Sequence, residues 1–223
     1  MIEVVKLEKE GPFQEPLARA ASIIEAGGIV AFPTESFYGL GAGASNESAL
    51  KRLFLVKKRD PAMPILIFIS SINELSKYTA SVPPKALELA GKFWPGALTI
   101  LFEASPDLST LLTAGTRKIG IRISGHPVAR ALTSLLNMAI TGTSANISGS
   151  PPCTRADQIV KYFGDTIDLI LDGGTTEGKL PSSILDVTHT PPRLIREGII
   201  KAKEIIDSEI YEELLVPEQE GDL

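Results

Sequence analysis

The sequence predicts an α/β fold of the mixed α+β kind: a twisted open sheet of parallel and antiparallel strands, flanked by helices. Three observations predict it. Strand-length apolar runs alternate with stretches of helical spacing along the chain. Several connections between them are too short for helical crossovers, which makes the sheet mixed rather than purely parallel. No internal repeat or linker-like shift in composition divides the 223 residues, which therefore read as one domain.

Taken in order, Leu17, Ala20, Ala21 and Ile24 keep helical spacing, with Pro16 near the start and Gly27 just past the end. Residues 28–33 read as a buried strand that runs into a turn-rich stretch. A helix over 48–57 carries the apolar stripe Leu50, Leu53 and Phe54. A strand over 65–70 and short helices over 72–78 and 84–93 follow. Strands are expected over 98–103 and 119–124, the second alternating apolar residues with Gly120 and Arg122. A helix over 126–137 turns Val128, Leu132, Leu135 and Leu136 inward. Strands over 139–143 and 169–172 bracket a helix near 156–163. Strands over 184–187 and 193–196 complete the sheet, and 201–215 reads as a terminal helix.

Hydrophobic residues at 43% and charged residues at 22% fit a globular protein with a core that needs no covalent staples. The single cysteine, Cys153, excludes an intramolecular disulfide or a CxxC metal knuckle and fits a reducing compartment. The first residues mix Glu3, Lys6, Glu8 and Lys9 with apolar side chains, unlike a signal peptide. Apolar runs such as 65–69 are too short to cross a bilayer, so the expectation is a cytoplasmic protein with no membrane partner. A net charge of -5 argues against a general nucleic-acid coating protein. Yet residues 51–59 hold Lys51, Arg52, Lys57, Lys58 and Arg59 and no acid, a basic patch suited to a small polyanion.

Four segments depart from a plain core, each at a strand or helix end, where open α/β sheets place ligands. In Pro33-Thr34-Glu35-Ser36-Phe37-Tyr38-Gly39, hydroxyls and a carboxylate follow a buried strand; the segment is either a ligand loop or an ordinary capped turn. Lys57 and Arg59 end the basic helix, as phosphate clamps or as cations that complement the helix dipole. Arg122 stands mid-strand among isoleucines, where a charge is costly unless it borders a cleft or faces solvent at a sheet edge. Residues 141–149, with Ser144, Asn146 and nearby Thr154, offer more hydrogen-bonding groups than a turn needs, although a self-satisfied polar loop is the alternative. No P-loop is present, and neither His126 nor His189 has metal-ligand spacing. His126, before Pro127, reads as a cap, Trp94 as a core anchor, and Cys153 as no nucleophile.

In this order, PTESFYGLG, KKR, FWPGALT, IGIRISGHP, TSANISG, SSILDVT and LIREG resemble the YrdC-type threonylcarbamoyl-AMP synthase family from about Gly28 to Gly198. The resemblance implies a YrdC-like catalytic domain over 14–200, followed by a helix and acidic tail over 201–223; ending near Leu223, the chain is expected to lack the second domain of longer members. It also implies a nucleotidyltransferase that joins L-threonine, bicarbonate or CO2, and ATP into threonylcarbamoyl-AMP and pyrophosphate for tRNA modification. Mg2+ would arrive with ATP, with no protein ligand assigned. By position, Lys57 and Arg59 would face the triphosphate as the catalytic cations, and Lys118, Asn146, Thr154 and Arg196 would complete the nucleotide site. Thr34, Ser36, Tyr38, Arg122, Ser144 and Ser182 would form the threonine site. Phe68, Met63, Lys118 and the displaced Pro61 depart from the family pattern. Other readings are a double-stranded RNA-binding module or a paralogue making another carbamoyl or acyl adenylate. Macromolecular partners would be tRNA or double-stranded RNA and the machinery that transfers the threonylcarbamoyl group.

Overall fold

A computed structural model describes residues 2–8 and 13–216. The chain is mixed α/β, and its strands divide between two sheets rather than forming the one expected from the sequence. The five-stranded sheet runs β1 (Glu3–Lys6), β9 (Leu169–Asp172), β2 (Val30–Pro33), β3 (Tyr38–Gly41), β8 (Thr143–Ser144). β1 and β2 lie parallel to β9, while β3 is antiparallel to both β2 and β8. The six-stranded sheet runs β11 (Arg193–Arg196), β10 (Ser183–Asp186), β5 (Leu98–Glu103), β6 (Lys118–Arg122), β4 (Ile67–Phe68), β7 (Ile140–Thr141). It too mixes parallel pairs, β10 with β5 and β4 with β6, with antiparallel ones.

The helices are α1 (Gln14–Glu25), α2 (Glu47–Lys57), α3 (Leu75–Tyr78), α4 (Pro84–Phe93), α5 (Thr110–Thr113), α6 (Pro127–Leu136), α7 (Ala156–Phe163) and α8 (Ala202–Ile206). α1 ends as its sequence predicts. Gly27 takes φ 87°, Gly27 N–H donates to Ile24 O and Gly28 N–H to Ile23 O, which satisfies the last carbonyls. α2 starts at Asn46, whose Oδ1 accepts from Ala49 N–H at 2.9 Å. His126 caps α6 by accepting from Val128 N–H, and the buried Trp94 donates Nε1–H to Leu98 O at 2.6 Å, as the sequence suggested.

β2 is buried along its length because both faces are covered. Val30 and Phe32 face a core formed with α1 and α6, through Leu17, Ile24, Val128 and Leu132. Ala31 faces a second core, shared with Leu50, Leu53 and Ile159. The sheets are joined by residues 140–144, which pair with β4 in one sheet and with β3 in the other. Gly142 is the crossing point: a Cβ there would lie 2.5 Å from Leu66 Cδ1 and 2.8 Å from Phe68 Cζ.

Four elements differ from expectation, among them the short helix α5, which the sequence reading did not include. The helix over 201–215 stops at Ile206, because the Ser208 hydroxyl donates back to Ile205 O and Glu209 takes φ 62°. The chain then runs alongside β11, where Leu215 bridges to Arg193. The acidic tail after Val216 lies outside the described residues. β1 and β3 carry no strand in the sequence reading: β1 is short and half polar, and the glycines of β3 resemble a turn.

Candidate active site

Where the two sheets meet, a cavity of about 610 Å³ opens, within the range of small-molecule sites. The first sheet contributes Thr34, Ser36, Phe37 and Tyr38 around the β2–β3 turn, and Thr143 and Ser144 of β8. The second contributes Phe68, Thr99, Gly120, Arg122, Ile184, Ile195 and Arg196, with Ser182 just before β10. Arg59 enters from the loop after α2.

The hydroxyls of the first turn support one another. Thr34 Oγ1 donates to Phe37 O at 2.6 Å, lies 3.2 Å from Ser36 Oγ and accepts from Ser36 N–H. The Tyr38 phenol is spent on structure, donating to Gly174 O at 2.7 Å and accepting from Gly173 N–H at 3.0 Å. Burial, reinforced by the Asp172 carboxylate, pushes its pKa above the usual phenol value, so it stays protonated. On the other wall, Ile184 pairs with Arg196 and Leu185 with Leu194. This register shift makes Ile195 an extra residue, and the bulge lets two consecutive side chains, Ile195 and Arg196, reach the cavity.

Three guanidiniums line this cavity and no carboxylate does. Arg122, only 3% exposed, donates Nε–H to Gly96 O at 2.8 Å, pairs through Nη2 with Glu35, and lies over the Phe68 ring at 5.6 Å. Arg196 donates from Nε and Nη2 to Ser182 O at 3.0 and 2.8 Å, and Ser182 Oγ lies 3.1 Å from Thr99 Oγ1. Burial first, then the neighbouring Arg122 charge, lowers the pKa of Arg196, while burial alone lowers that of Arg59. Guanidiniums nevertheless remain charged at any working pH, so the cavity carries positive charge that an anion would relieve. Arg59 is steadied by Met63 O at 3.2 Å and Pro64 O at 2.7 Å.

Eight of the twelve residues singled out from sequence thus line one cavity: Thr34, Ser36, Tyr38, Arg59, Arg122, Ser144, Ser182 and Arg196. The other four do not. Lys57 is 1% exposed, and its ammonium donates to Ser144 O at 2.5 Å, Asn146 O at 2.8 Å and Asn146 Oδ1 at 3.3 Å. Burial first, then Arg59, pulls its pKa down to about 7. Asn146 also accepts from Ser144 Oγ at 2.6 Å and donates Nδ2–H to Ser150 O at 2.6 Å. Lys57 and Asn146 therefore hold the β8 loop in shape. Thr154 receives a cap from Gln158 at the start of α7. Lys118 pairs with the buried Asp186 at 2.7 Å, on the same face of β6 as Gly120 and Arg122 but beyond the lining.

Sequence reasoning missed Glu35, Thr99 and Ile195. Glu35 was legible as a carboxylate between two hydroxyls, and Thr99 as a lone hydroxyl in an apolar strand; Ile195 carries no signal, since it depends on the bulge. The basic stretch disperses. Lys51 and Lys58 are exposed, Arg52 binds Asp168 at 2.6 and 3.1 Å, Lys57 is buried and Arg59 enters the cavity. Among the described residues no group of three or more His, Cys, Asp and Glu side chains is placed to hold a metal ion. Nor is any described helix long and apolar enough to cross a membrane.

Fold and cavity together define an α/β protein with a cavity of small-molecule size, lined by guanidiniums and hydroxyls that suit an anionic, hydrogen-bonding ligand. The Sua5, YciO and YrdC family model, described as "Telomere recombination", matches residues 22–198, and the chain belongs to that family. It is 39% identical over 186 residues to the threonylcarbamoyl-AMP synthase of Pyrococcus abyssi, covering 83% of this chain and 55% of that protein. The threonylcarbamoyl-AMP synthase of Bacillus subtilis is 38% identical over 190 residues, covering 85% of this chain and 55% of that one. The chain thus spans about half the length of these two relatives. The crystal structure of P. abyssi Sua5 complexed with L-threonine superposes with a TM-score of 0.90 at 35% identity, over 97% of this chain and 62% of that one.

Proposed function

We propose that this chain is an L-threonylcarbamoyladenylate synthase, a nucleotidyltransferase that acts on L-threonine, bicarbonate or CO2, and ATP. One observation carries the reading: three guanidiniums line one cavity beside a hydroxyl-rich wall, with no carboxylate in the lining and only Arg122 paired, to Glu35 just outside it. An amino acid and a nucleotide triphosphate together need that combination, carboxylate and phosphates for the arginines and polar edges for the hydroxyls. The name of the relatives and the threonine complex of one of them support it.

In this mechanism Arg122 takes the amino-acid carboxylate, while Ser36, Ser144 and Ser182 present hydroxyls to its polar groups. The threonine amine adds to CO2, giving an N-carboxylate and releasing a proton. That carboxylate oxygen attacks the α-phosphorus of ATP, the bond to the β-phosphate oxygen breaks, and pyrophosphate leaves. Arg59 and Arg196 stabilise charge on the phosphates, so that catalysis is positioning and electrostatics rather than covalent chemistry. Lys57 and Asn146 act through the β8 loop that they brace, while Lys118 and Thr154, outside the lining, would meet only a part of the nucleotide that extends beyond the cavity. Mg2+ would accompany ATP as part of the substrate and would neutralise part of its phosphate charge. A cytoplasmic setting supplies ATP and keeps the thiol of Cys153 reduced, and the product passes to tRNA through the transfer machinery.

The test is pyrophosphate release with ATP, Mg2+ and bicarbonate, run across the twenty amino acids. Threonine-dependent release supports the reading. A preference for another amino acid, or none, assigns the cavity to a different adenylate, and release with no amino-acid dependence overturns it. Salt-sensitive binding to double-stranded RNA that ignores threonine would favour an RNA module.

A further inference from the structure

The mechanism leaves Glu35 without a task, yet this side chain spans the two sheets. It belongs to the β2–β3 turn of the first sheet and makes its bonds to the second. Its Oε2 accepts from Ser124 Oγ at 2.6 Å, and its Oε1 accepts from Gly125 N–H at 2.9 Å and contacts Arg122 Nη2. The carboxylate is 22% exposed and is absent from the cavity lining. Burial works against its charge, but Arg122, Ser124 and Gly125 outweigh burial and hold its pKa below the usual carboxylate value.

The consequence falls on Arg122. Its guanidinium is held at two points of different kind: Nε–H donates to the Gly96 carbonyl, while the buried Nη2 lies in ion-pair contact with Glu35 Oε1 but makes no hydrogen bond. Nη1 donates to no described residue, although Arg122 lines the cavity. A guanidinium is a planar fork, so two anchored corners fix where the third points. The grip also answers a local problem, since Arg196 lies close enough to Arg122 for their charges to repel. Without Glu35, Arg122 would be free to swing away from Arg196, and the geometry offered to a ligand carboxylate would be lost.

We propose that Glu35 is a positioning residue, which orients the Arg122 guanidinium across the sheet junction and thereby sets affinity for the amino-acid carboxylate without touching it. This rests on the reading of Arg122 as the amino-acid anchor. A purely structural Glu35 would instead lower stability and weaken both substrates together.

The experiment uses the full chain as wild type, Glu35→Gln, Glu35→Asp and Arg122→Ala. It measures threonine binding by calorimetry, and KM for threonine and for ATP from pyrophosphate release. Glu35→Gln keeps the size and loses the charge, and its threonine KM is expected to rise about tenfold or more, with ATP KM and kcat at saturating threonine changed by less than about threefold. Glu35→Asp, which keeps the charge but shortens the reach, is expected to fall between, and it carries the test if the Gln variant does not fold. An unchanged threonine KM in both Glu35 variants, or threonine and ATP KM rising in step, overturns the positioning role. An unchanged threonine KM in Arg122→Ala, or no threonine binding to wild type, overturns the underlying reading of Arg122, and the inference falls with it.

Discussion

Truncating Arg122 to alanine removes the one cation assigned to the amino acid. Its Nε and Nη2 are already engaged by Gly96 O and Glu35, so a ligand carboxylate gains the remaining N–H groups rather than a whole free fork. Charge-assisted hydrogen bonds are worth about 1.5–3 kcal/mol. A loss of about 2–3 kcal/mol, at about 1.4 kcal/mol per tenfold, raises the threonine KM on the order of 100-fold. The ATP KM changes far less, because Arg59 and Arg196 remain. The fold survives: Glu35 loses its ion pair but keeps Ser124 and Gly125 as donors and stays partly exposed, a cost of about 1–2 kcal/mol rather than that of a stranded buried charge. Pyrophosphate release against threonine concentration, with urea denaturation alongside, reads both effects. A folded Arg122→Ala protein with the wild-type threonine KM would refute the reasoning.

Gly142→Ala places a Cβ 2.5 Å from Leu66 and 2.8 Å from Phe68, so overpacking is expected to cost about 1–3 kcal/mol of unfolding free energy, measured by urea denaturation, and to displace the ring beneath Arg122. Wild-type stability and activity in that variant would show that the sheet junction has slack. Lys57, with its pKa lowered to about 7 in the folded chain, binds its proton less tightly there than when unfolded. Between that value and the ordinary lysine range the unfolded chain holds the extra proton, so this group makes stability rise with pH there, by about 1.4 kcal/mol per unit at most; that gain is lost as pH falls to about 7 and levels off below it. The stability difference between wild type and Lys57→Met, followed by denaturation at several pH values, is expected to grow in that window, and parallel curves would contradict it. Arg52→Ala loses a two-point ion pair with Asp168, but both partners are partly exposed and Ile29 N–H still donates to Asp168, so the expected cost is about 1 kcal/mol with activity unchanged. A larger loss would mean that Arg52 does more than tie α2 to the sheet.

Local pattern made much of this legible. The stripe at Leu17, Ala20, Ala21 and Ile24 and the glycine behind it define α1 and its end, and the buried run before Thr34 is β2, as read. A charge amid isoleucines marks Arg122 for a cleft or a solvent-facing sheet edge, and the structure settles it as the cleft: the side chain is buried and lines the cavity. Pairing partners were not legible. The split into two sheets depends on residues 140–144 pairing on both sides, which no local period encodes. The same limit explains Lys57 and Arg59: adjacent in motif, one is sealed under β8 and the other faces the cavity, because Lys58 takes a left-handed φ of 50° and turns the chain between them.

The central claim is that one cavity brings an amino acid, a carboxyl source and a nucleotide together. Incubating the protein with threonine, ATP, Mg2+ and carbon-13-labelled bicarbonate and following the label by mass spectrometry tests this most directly. Label is expected in a threonine-containing AMP adduct, formed by wild type and strongly reduced in Arg59→Ala and Arg122→Ala. An adduct formed equally well by both variants, or ATP consumed with no label attached to AMP, would contradict it.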